Sequence, residues 1–476
     1  MLSRRRFISG AAATLLGPAM ARRPAAAAAP IVRRDVMEMA DDDRFFSDYA
    51  RAVQKMHDLT GDGRNWLAQA KIHADHCHHG ELEFLHWHRH YIRFFEKICA
   101  NLCGNPGFAL PYWNWSKNSG RLPAPFFDRP ELNVEHWNDP GQYIATAWGP
   151  IDTVGRRGLD KTHGLLDDSA RGGAFALETI NGIKRLPTID LFRASLEGQP
   201  HNIGHVLTGA TKTGKLGHMG DRLSPLDPIF WLHHSMVDRV WAEWQKSGHT
   251  TPDPQADYPD QFFEADGKPA NASSTGAMNI DGLGYTYDIF QASAQALAGS
   301  HLTTQQSSEL RKLLPTSVPE IIGSVTPAAT VRANLETAFD VAVPRLQGRV
   351  GQMRALAATG WTAPGGRLVA RLSDVVSPDA RGLMVNVFVN CPYLSPTTPY
   401  SDPHYAGSFS FFGASKPMPG MPGMAAATYV VDITKAVLES GFSPETIKLQ
   451  LMPLPAIAGA GSSAAFQVGK VEILAV

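Results

Sequence analysis

Trp87-His-Arg-His-Tyr-Ile-Arg-Phe-Phe-Glu-Lys-Ile-Cys-Ala-Asn-Leu102 sets the architecture of this chain. Its apolar residues Tyr91, Phe94, Phe95, Ile98 and Leu102 recur at three- and four-residue steps, as in a helix that buries one face. Gly104 ends it, because glycine takes the left-handed C-cap conformation without a Cβ clash. Working outward, similar periodicity predicts helices over Asp41–Asp58, with Asp41–Asp43 as the capping region, and over Trp66–His73, Ile189–Leu207 and Pro228–Lys246. Residues 116–190 are rich in Gly, Pro, Asp and Asn and read as long surface loops.

Further along, the period changes. Leu368–Leu372, Met384–Val389, Ser408–Phe412, Tyr429–Ile433, Lys448–Met452 and Val471–Val476 are short β-type runs separated by Pro, Gly and Ser. They predict an all-β sandwich. Between the two regions, Ser307–Leu314 and Val331–Phe339 read as short helices and Pro315–Thr330 as linker. The expected fold is mainly α, a helical bundle holding a metal centre, followed by the C-terminal sandwich. The divisions are a leader over 1–29, a helical domain over 30–255, a mixed extension and linker over 256–365, and the sandwich over 366–476.

The 476 residues carry 44 Lys+Arg against 45 Asp+Glu. Phosphate binding needs a basic surplus, so a nucleic-acid partner is not expected. No segment approaches the roughly 20 apolar residues of a membrane span. Four cysteines (Cys77, Cys99, Cys103, Cys391) are too few for a disulfide scaffold. Ser3-Arg4-Arg5-Arg6-Phe7-Ile8, followed by a weakly apolar stretch and small residues up to Ala29, reads as a twin-arginine export signal. That predicts a periplasmic or extracellular protein that crosses folded with its cofactor. The leader contains arginines and no acid, so the chain without it is mildly acidic.

Histidine is the informative residue. Of 18, seven (His73, His76, His78, His79, His86, His88, His90) fall within 18 residues. Imidazole is the commonest metal ligand. His79 and His88 are nine apart and would face opposite ways on one helix. Gly80 breaks the run, so His79 is expected in a loop and His88 at the opening of the Trp87–Leu102 helix. His201 and His205 form an i, i+4 pair on one helix face. In the run Asp227–Arg239, Asp238 lies one turn beyond His234 and is expected to hold an imidazole or an arginine. Two groups of three histidines without clustered carboxylates suit copper, and also zinc, iron or nickel.

His79-Gly-Glu-Leu-Glu-Phe84-Leu85-His-Trp87-His88-Arg89-His-Tyr-Ile-Arg-Phe-Phe-Glu96 resembles the CuA signature of tyrosinases, catechol oxidases and molluscan haemocyanins, with Ile92 a mild departure. Asp227-Pro228-x-Phe230-Trp231-x-x-His234-x-x-x-Asp238 resembles the CuB signature in full, and Pro111-Tyr112-Trp113-Asn114-Trp115 resembles another family segment. The resemblance covers about residues 35–250. It implies two copper ions, CuA on His73, His79 and His88 and CuB on His201, His205 and His234, with O2 as co-substrate and small phenols as substrates. His57 is the rival to His73. Cys77, two residues before His79, implies a thioether bond to that imidazole.

In this family, monophenol hydroxylases often have Asn directly after the first CuB His and an upstream Glu that orders a water as base. Asn202 and Glu197 match, which favours a tyrosinase-like reading. Glu197 would otherwise be a solvated helix-start residue favoured by the dipole. Val206 stands where several bacterial tyrosinases have Arg, and suits neutral phenols. The β-rich region resembles the shielding domain of plant polyphenol oxidases and haemocyanins, which implies a plug residue, expected among Phe409–Phe412. The alternatives are a catechol oxidase without monophenolase activity and a non-catalytic haemocyanin-like O2 carrier. A single CuA/CuB pair with an export signal favours an enzyme; the doubled three-His pattern argues against a zinc hydrolase. A homo-oligomer is compatible with all of these.

Overall fold

The computed structural model describes residues 29–137, 142–147, 149–290, 318–327, 329–358, 366–376, 382–412, 426–440, 445–457 and 464–476. The export-signal reading falls on residues outside these, save Ala29, as does the helix expected at Ser307–Leu314.

Strand β1 (Ile31–Arg33) opens the described chain. Helix α1 (Arg44–Asp58) is capped by Asp43, whose carboxylate accepts from the Phe45 amide. Asn65 caps α2 (Trp66–His76) in the same way through Leu67 and Ala68. Helix α3 (Glu83–Cys103) ends at Gly104 with φ +72°. It begins a turn earlier than Trp87, so His88 lies inside it instead of opening it. The segment expected as surface loops contains α4 (Pro125–Asp128), the hairpin β2 (Gln142–Thr146) and β3 (Gly149–Thr153), and α5 (Leu177–Lys184). Phe126, Ile151, Ile180 and Ile183 anchor these pieces in the main core, which composition alone does not reveal.

Helix α6 (Ile189–Leu196), a π-turn at Glu197–His201 and α7 (Asn202–Gly209) follow one another without a break. Pro200 lacks the amide that a regular helix would use, and the wider turn accommodates it. Helix α8 (Ile229–Lys246) packs across α3, where Phe95 and Trp231 stack with ring centroids 3.4 Å apart. The hairpin β4 (Asp257–Phe263) and β5 (Pro269–Ser273) follows. Strand β6 (Tyr285–Tyr287) then pairs in parallel with β1.

That pairing carries Arg33 beneath α3. Arg33 forks onto Glu96 through two bonds of 3.0 Å and reaches Asp238 at 3.2 Å. Arg89 donates to the other Asp238 oxygen at 2.5 Å, and the Tyr285 and Tyr287 hydroxyls donate to Asp238 at 2.6 Å. Of the two partners expected for Asp238 it takes arginine; no imidazole is bonded to it among the described residues.

The C-terminal sandwich has two antiparallel sheets. One is ordered β13 (Ala427–Asp432), β10 (Leu368–Val376), β15 (Ala465–Ala475), β7 (Glu320–Val325), with β8 (Thr330–Arg332) also on β15. The other is β12 (Tyr405–Ser410), β11 (Leu383–Val389), β14 (Thr446–Pro455), β9 (Thr337–Ala342). The short helix expected at Val331–Phe339 is thus corrected: it falls on β8, a turn with Asn334 at φ +60°, and β9. Val331, Phe339 and Val341 fill the sandwich core, so burial against the facing sheet outweighs the local pattern. The sheets therefore draw strands from Glu320 onward, upstream of residue 366.

Every residue of β11 is buried. Leu383, Val385, Val387 and Val389 face the sandwich core, while Met384 packs into the helical core and Asn386 donates to the Ala170 carbonyl at 2.6 Å. The sandwich thus lies directly on the helical part. Among the described residues no helix is long and apolar enough to cross a membrane.

Asp238→Ala should leave the fully buried Arg89 guanidinium without a carboxylate and Arg33 with Glu96 as its remaining one. The expected cost is about 3–5 kcal/mol of unfolding free energy by chemical denaturation. A cost below about 1 kcal/mol would show that the network does not hold β1 and β6 in place.

Candidate metal centre

Six imidazoles from α2, the following loop, α3, the π-turn, α7 and α8 converge in the core. All are buried: His73, His79, His88, His201, His205 and His234. The His73, His79 and His88 rings lie 5.3–5.6 Å apart, centroid to centroid. Candidate ligand atoms of His201, His205 and His234 lie within 4.8 Å of one another, as do those of His73, His88 and His234. The groups face each other, with His88 and His234 stacked at 4.4 Å and the His79 and His201 rings tilted by 33° at 5.5 Å. His57 is elsewhere, stacked on Trp137 at 3.6 Å. His73 and not its rival is therefore in the cluster.

Four of the rings are oriented through Nδ1. His73 donates to the Arg222 carbonyl at 2.6 Å, His88 to Phe84 O at 2.8 Å and His205 to Met219 O at 2.9 Å. His201 donates to the Asn202 side-chain oxygen at 2.8 Å. With the proton fixed on Nδ1, each presents an Nε2 lone pair inward. The Nε2 atoms of His73, His79, His88 and His201 are buried without a partner, and so is His234 Nδ1. His205 Nε2 and His234 Nε2 point at each other across 3.3 Å. Unpaired buried nitrogens are costly, and a cation would satisfy this set. The donors fit a metal with imidazole preference.

Burial is the main cause of depressed basicity in all six. His73 and His201 are held down to about 3, and His79, His88, His205 and His234 lie well below the ordinary imidazole value, with neighbouring histidines adding repulsion.

Cys77 Sγ lies within 4.8 Å of ligand atoms of both His73 and His79. All four cysteines are buried and free of disulfides. Glu197 is buried in the π-turn, not solvated at a helix start. Its carboxylate accepts from the Gly80 amide at 2.6 Å and from Arg193 at 2.7 Å. Burial pushes its pKa up, and these two donors offset part of that. Asn202 donates to the Ser410 carbonyl of the sandwich at 2.9 Å. Val206 belongs to the hydrophobic core.

From the sandwich, Phe412 lies against His205 with centroids 3.7 Å apart and planes 3° from parallel, and it meets His79 and His201 edge-on. The extra histidines have structural partners. His233 accepts from Trp115 at 3.1 Å and donates to the His201 carbonyl at 3.2 Å. His86 donates to Leu82 O and His90 to Ser273 O. His78 bonds Glu81, and His76 is exposed.

Residues 49–247 match the family profile "Tyrosinase: Common central domain of tyrosinase". The chain is 27% identical over 300 residues to a chloroplastic polyphenol oxidase of Spinacia oleracea, covering 54% of this chain and 47% of that protein. It is 31% identical over 243 residues to catechol oxidase B of Solanum tuberosum, covering 44% and 40%. It is 26% identical over 311 residues to a tyrosinase of Hahella sp. (strain CCB-MM4), covering 54% and 62%. The chain thus spans about half the length of the curated relatives it matches. Among solved structures it resembles latent apple tyrosinase, with TM-score 0.57 and 19% identity over 95% of this chain and 98% of that one. It also resembles a latent aurone synthase (polyphenol oxidase), with TM-score 0.58 and 20% identity over 94% and 90%. These two likenesses are of fold.

Neutral buried imidazoles give the metal-free protein a defined pH response. The unfolded chain binds protons near pH 6.5 that the folded core refuses, so stability is full above that value and falls as pH drops from about 6.5 toward 3. Each such ring contributes at most about 1.4 kcal/mol per pH unit. Denaturation midpoints of metal-free protein should fall steadily from pH 7 to 5. A flat profile would mean that the rings are not buried neutral.

Proposed function

Because the chain belongs to the tyrosinase and polyphenol oxidase family through residues 49–247, we propose that it is a type-3 copper phenol oxidase with tyrosinase-like activity. The observation that carries this is the convergence of six buried imidazoles whose inward nitrogens lack partners. His73, His79 and His88 would hold one copper, and His201, His205 and His234 the other. Two coppers, when bound, supply O2 activation and the two-electron oxidation of a catechol to its o-quinone. The surrounding core excludes water and fixes the ligands before metal arrives.

Glu197 and Asn202 are the proposed monophenol machinery. Arg193 and the Gly80 amide anchor Glu197, leaving lone pairs to orient a water, and that water takes the phenolic proton. Asn202 aligns His201 through Nδ1. Cys77 stands close enough to His79 to support the thioether. Phe412 occupies, against His205, the place a flat phenolic ring would take, so the sandwich acts as a shield. The reading of Ser3–Ile8 as an export signal puts the enzyme outside the cytoplasm.

Copper-loaded protein, intact and after limited proteolysis, should be assayed with catechol, p-cresol and tyrosine. Catechol oxidation should rise on cleavage, and in intact Phe412→Ala. Absence of catechol oxidation in every form would sink the enzyme reading and leave oxygen binding. Glu197→Gln should lower p-cresol turnover by at least about 100-fold while sparing catechol. Activity on catechol alone in the unsubstituted enzyme would identify a catechol oxidase and remove the role given to Glu197.

Intact mass tests the crosslink separately. Thioether formation removes two hydrogens, so the reduced copper-loaded and oxygen-exposed protein should weigh about 2 Da less than its Cys77→Ser variant predicts. Equality with the uncrosslinked mass would dismiss it.

A further inference from the structure

The run His76-Cys77-His78-His79 leads from the end of α2 toward α3. Cys77 is extended, with φ −63° and ψ 140°, so successive side chains turn to opposite sides. Cys77 and His79 go inward and are 6% and 2% exposed. His76 and His78 go outward: His76 is exposed, and the His78 side chain is 29% exposed. One short run thus carries imidazoles on both of its faces. The six rings of the buried cluster, His79 among them, are at most 3% exposed. Burial holds His88 well below the ordinary imidazole value and nearby His78 adds repulsion, so the outer ring lies within electrostatic reach of the inner group.

The outer pair is arranged as metal-ligating histidines are. His78 donates through Nδ1 to the Glu81 carboxylate. That bond leaves the lone pair on Nε2 and makes it more basic, the usual support for a ligand imidazole. His76 has no hydrogen bond among the described residues. Partial burial lowers its pKa, Asp75 opposes that and His78 adds to it, so the two outer rings sense each other. His76 is also the last residue of α2, and the carbonyl end of a helix attracts cations. Asp75, Glu81 and Glu83 flank the pair in the chain and favour a cation there.

We propose that His76 and His78, with Glu81 behind His78, form an exterior docking site for copper(II) that supplies the buried cluster across the Cys77–His79 run. Two imidazoles and water suit that ion, and the flanking acids raise its local concentration. His78 and His79 are neighbours in the chain, so an ion leaving the outer ring meets an inner one within the same run. His76 and His78 belong to none of the buried metal-holding groups, so they govern how fast ions arrive and not how tightly the cluster holds them. The docking site stands on its own residues; its role as a supply rests on the dicopper reading above.

The experiment mixes copper(II) with the metal-free, full-length protein and follows loading by stopped-flow tryptophan fluorescence. Equilibrium dialysis gives the final affinities. His76→Asn with His78→Asn should slow loading by about 10-fold or more while the affinity of the buried pair stays as in the parent. Glu81→Gln keeps both rings and should slow loading in the same direction. His163→Asn removes an exposed histidine that also pairs with an acid, Asp160, and should load as the parent does. In protein already holding its buried pair, a further equivalent of copper(II) should give an electron paramagnetic resonance spectrum with imidazole nitrogen couplings. The double variant should lack it and His163→Asn should keep it. Circular dichroism checks that the variants fold. Parental loading rates in the double variant, or the same spectrum from it, would overturn the docking site. A loss of affinity without a change in rate would overturn it too, since the two residues would then only shape the loop. A parent that shows the exterior spectrum but never takes up a buried pair would overturn the dicopper reading, and the supply role with it.

Discussion

Six neutral imidazoles packed against one another in a dry core are the central constraint on this molecule. Each leaves at least one nitrogen without a protein partner or facing another imidazole, which opposes folding of the metal-free chain. The fold offsets that cost with dense aromatic packing on every side. Phe230 lies 4.3 Å from His234, Phe84 4.8 Å from His201 and Trp87 4.8 Å from His88, centroid to centroid. The same packing keeps water from the nitrogens and holds the rings at one orientation. Under the proposed dicopper reading, stability and metal affinity would be set by the same residues, with opposite preferences in the metal-free chain.

A second, ionic layer lies behind this one. Arg33, Glu96, Arg89 and Asp238 are fully or almost fully buried and mutually paired, with Tyr285 and Tyr287 completing Asp238. Burial alone would push the Asp238 carboxyl up; Arg89, Arg33 and the tyrosines hold it below the usual carboxylate range. Glu96 and Arg89 sit on α3 and Asp238 on α8, so the network locks together the two helices that present His88 and His234. A parallel pair, Arg157 with Asp227 at 2.6 Å, fixes the chain just before α8. Glu96, Asp227 and Asp238 of the histidine-bearing signatures thus position helices, and none of the three is bonded to a histidine among the described residues.

The helical periods, the caps and the pairing of histidine groups were legible in the sequence because they depend on local spacing. Asp43 and Gly104 perform the roles their chemistry suggests, and His73 reaches the cluster from α2 where His57 does not. Other features have no local signature. The acceptors for His73 and His205 are main-chain carbonyls, which any residue type supplies. Trp115 bonding His233 and the Gly80 amide bonding Glu197 are pairings between residues far apart in the chain. Glu197 itself could be read as solvated because the π-turn that buries it is a consequence of Pro200 within a longer helical run. At Val331–Phe339 the spacing resembled a short helix, yet β9 forms because β14 offers a ladder and the opposite sheet offers a core.

The sandwich alters what the helical site can do, and the sequence pattern of β11 shows why it must stay in place. A strand exposed on one face alternates apolar and polar residues; Leu383–Val389 does not, since both faces are covered. Lifting the sandwich would bare Met384 and Phe388 and break the Asn386 bond to Ala170 as well as the Asn202 bond to Ser410. Phe412 is consequently held on His205 by an extended apolar and polar contact, not by its own ring alone. Under the proposed function, an aromatic substrate would have to compete with that whole contact, and a single ring's stacking energy, about 1 kcal/mol, is too small to win. Access to the histidine cluster is therefore governed by how firmly the sandwich is seated, and only secondarily by the affinity of the ring that enters.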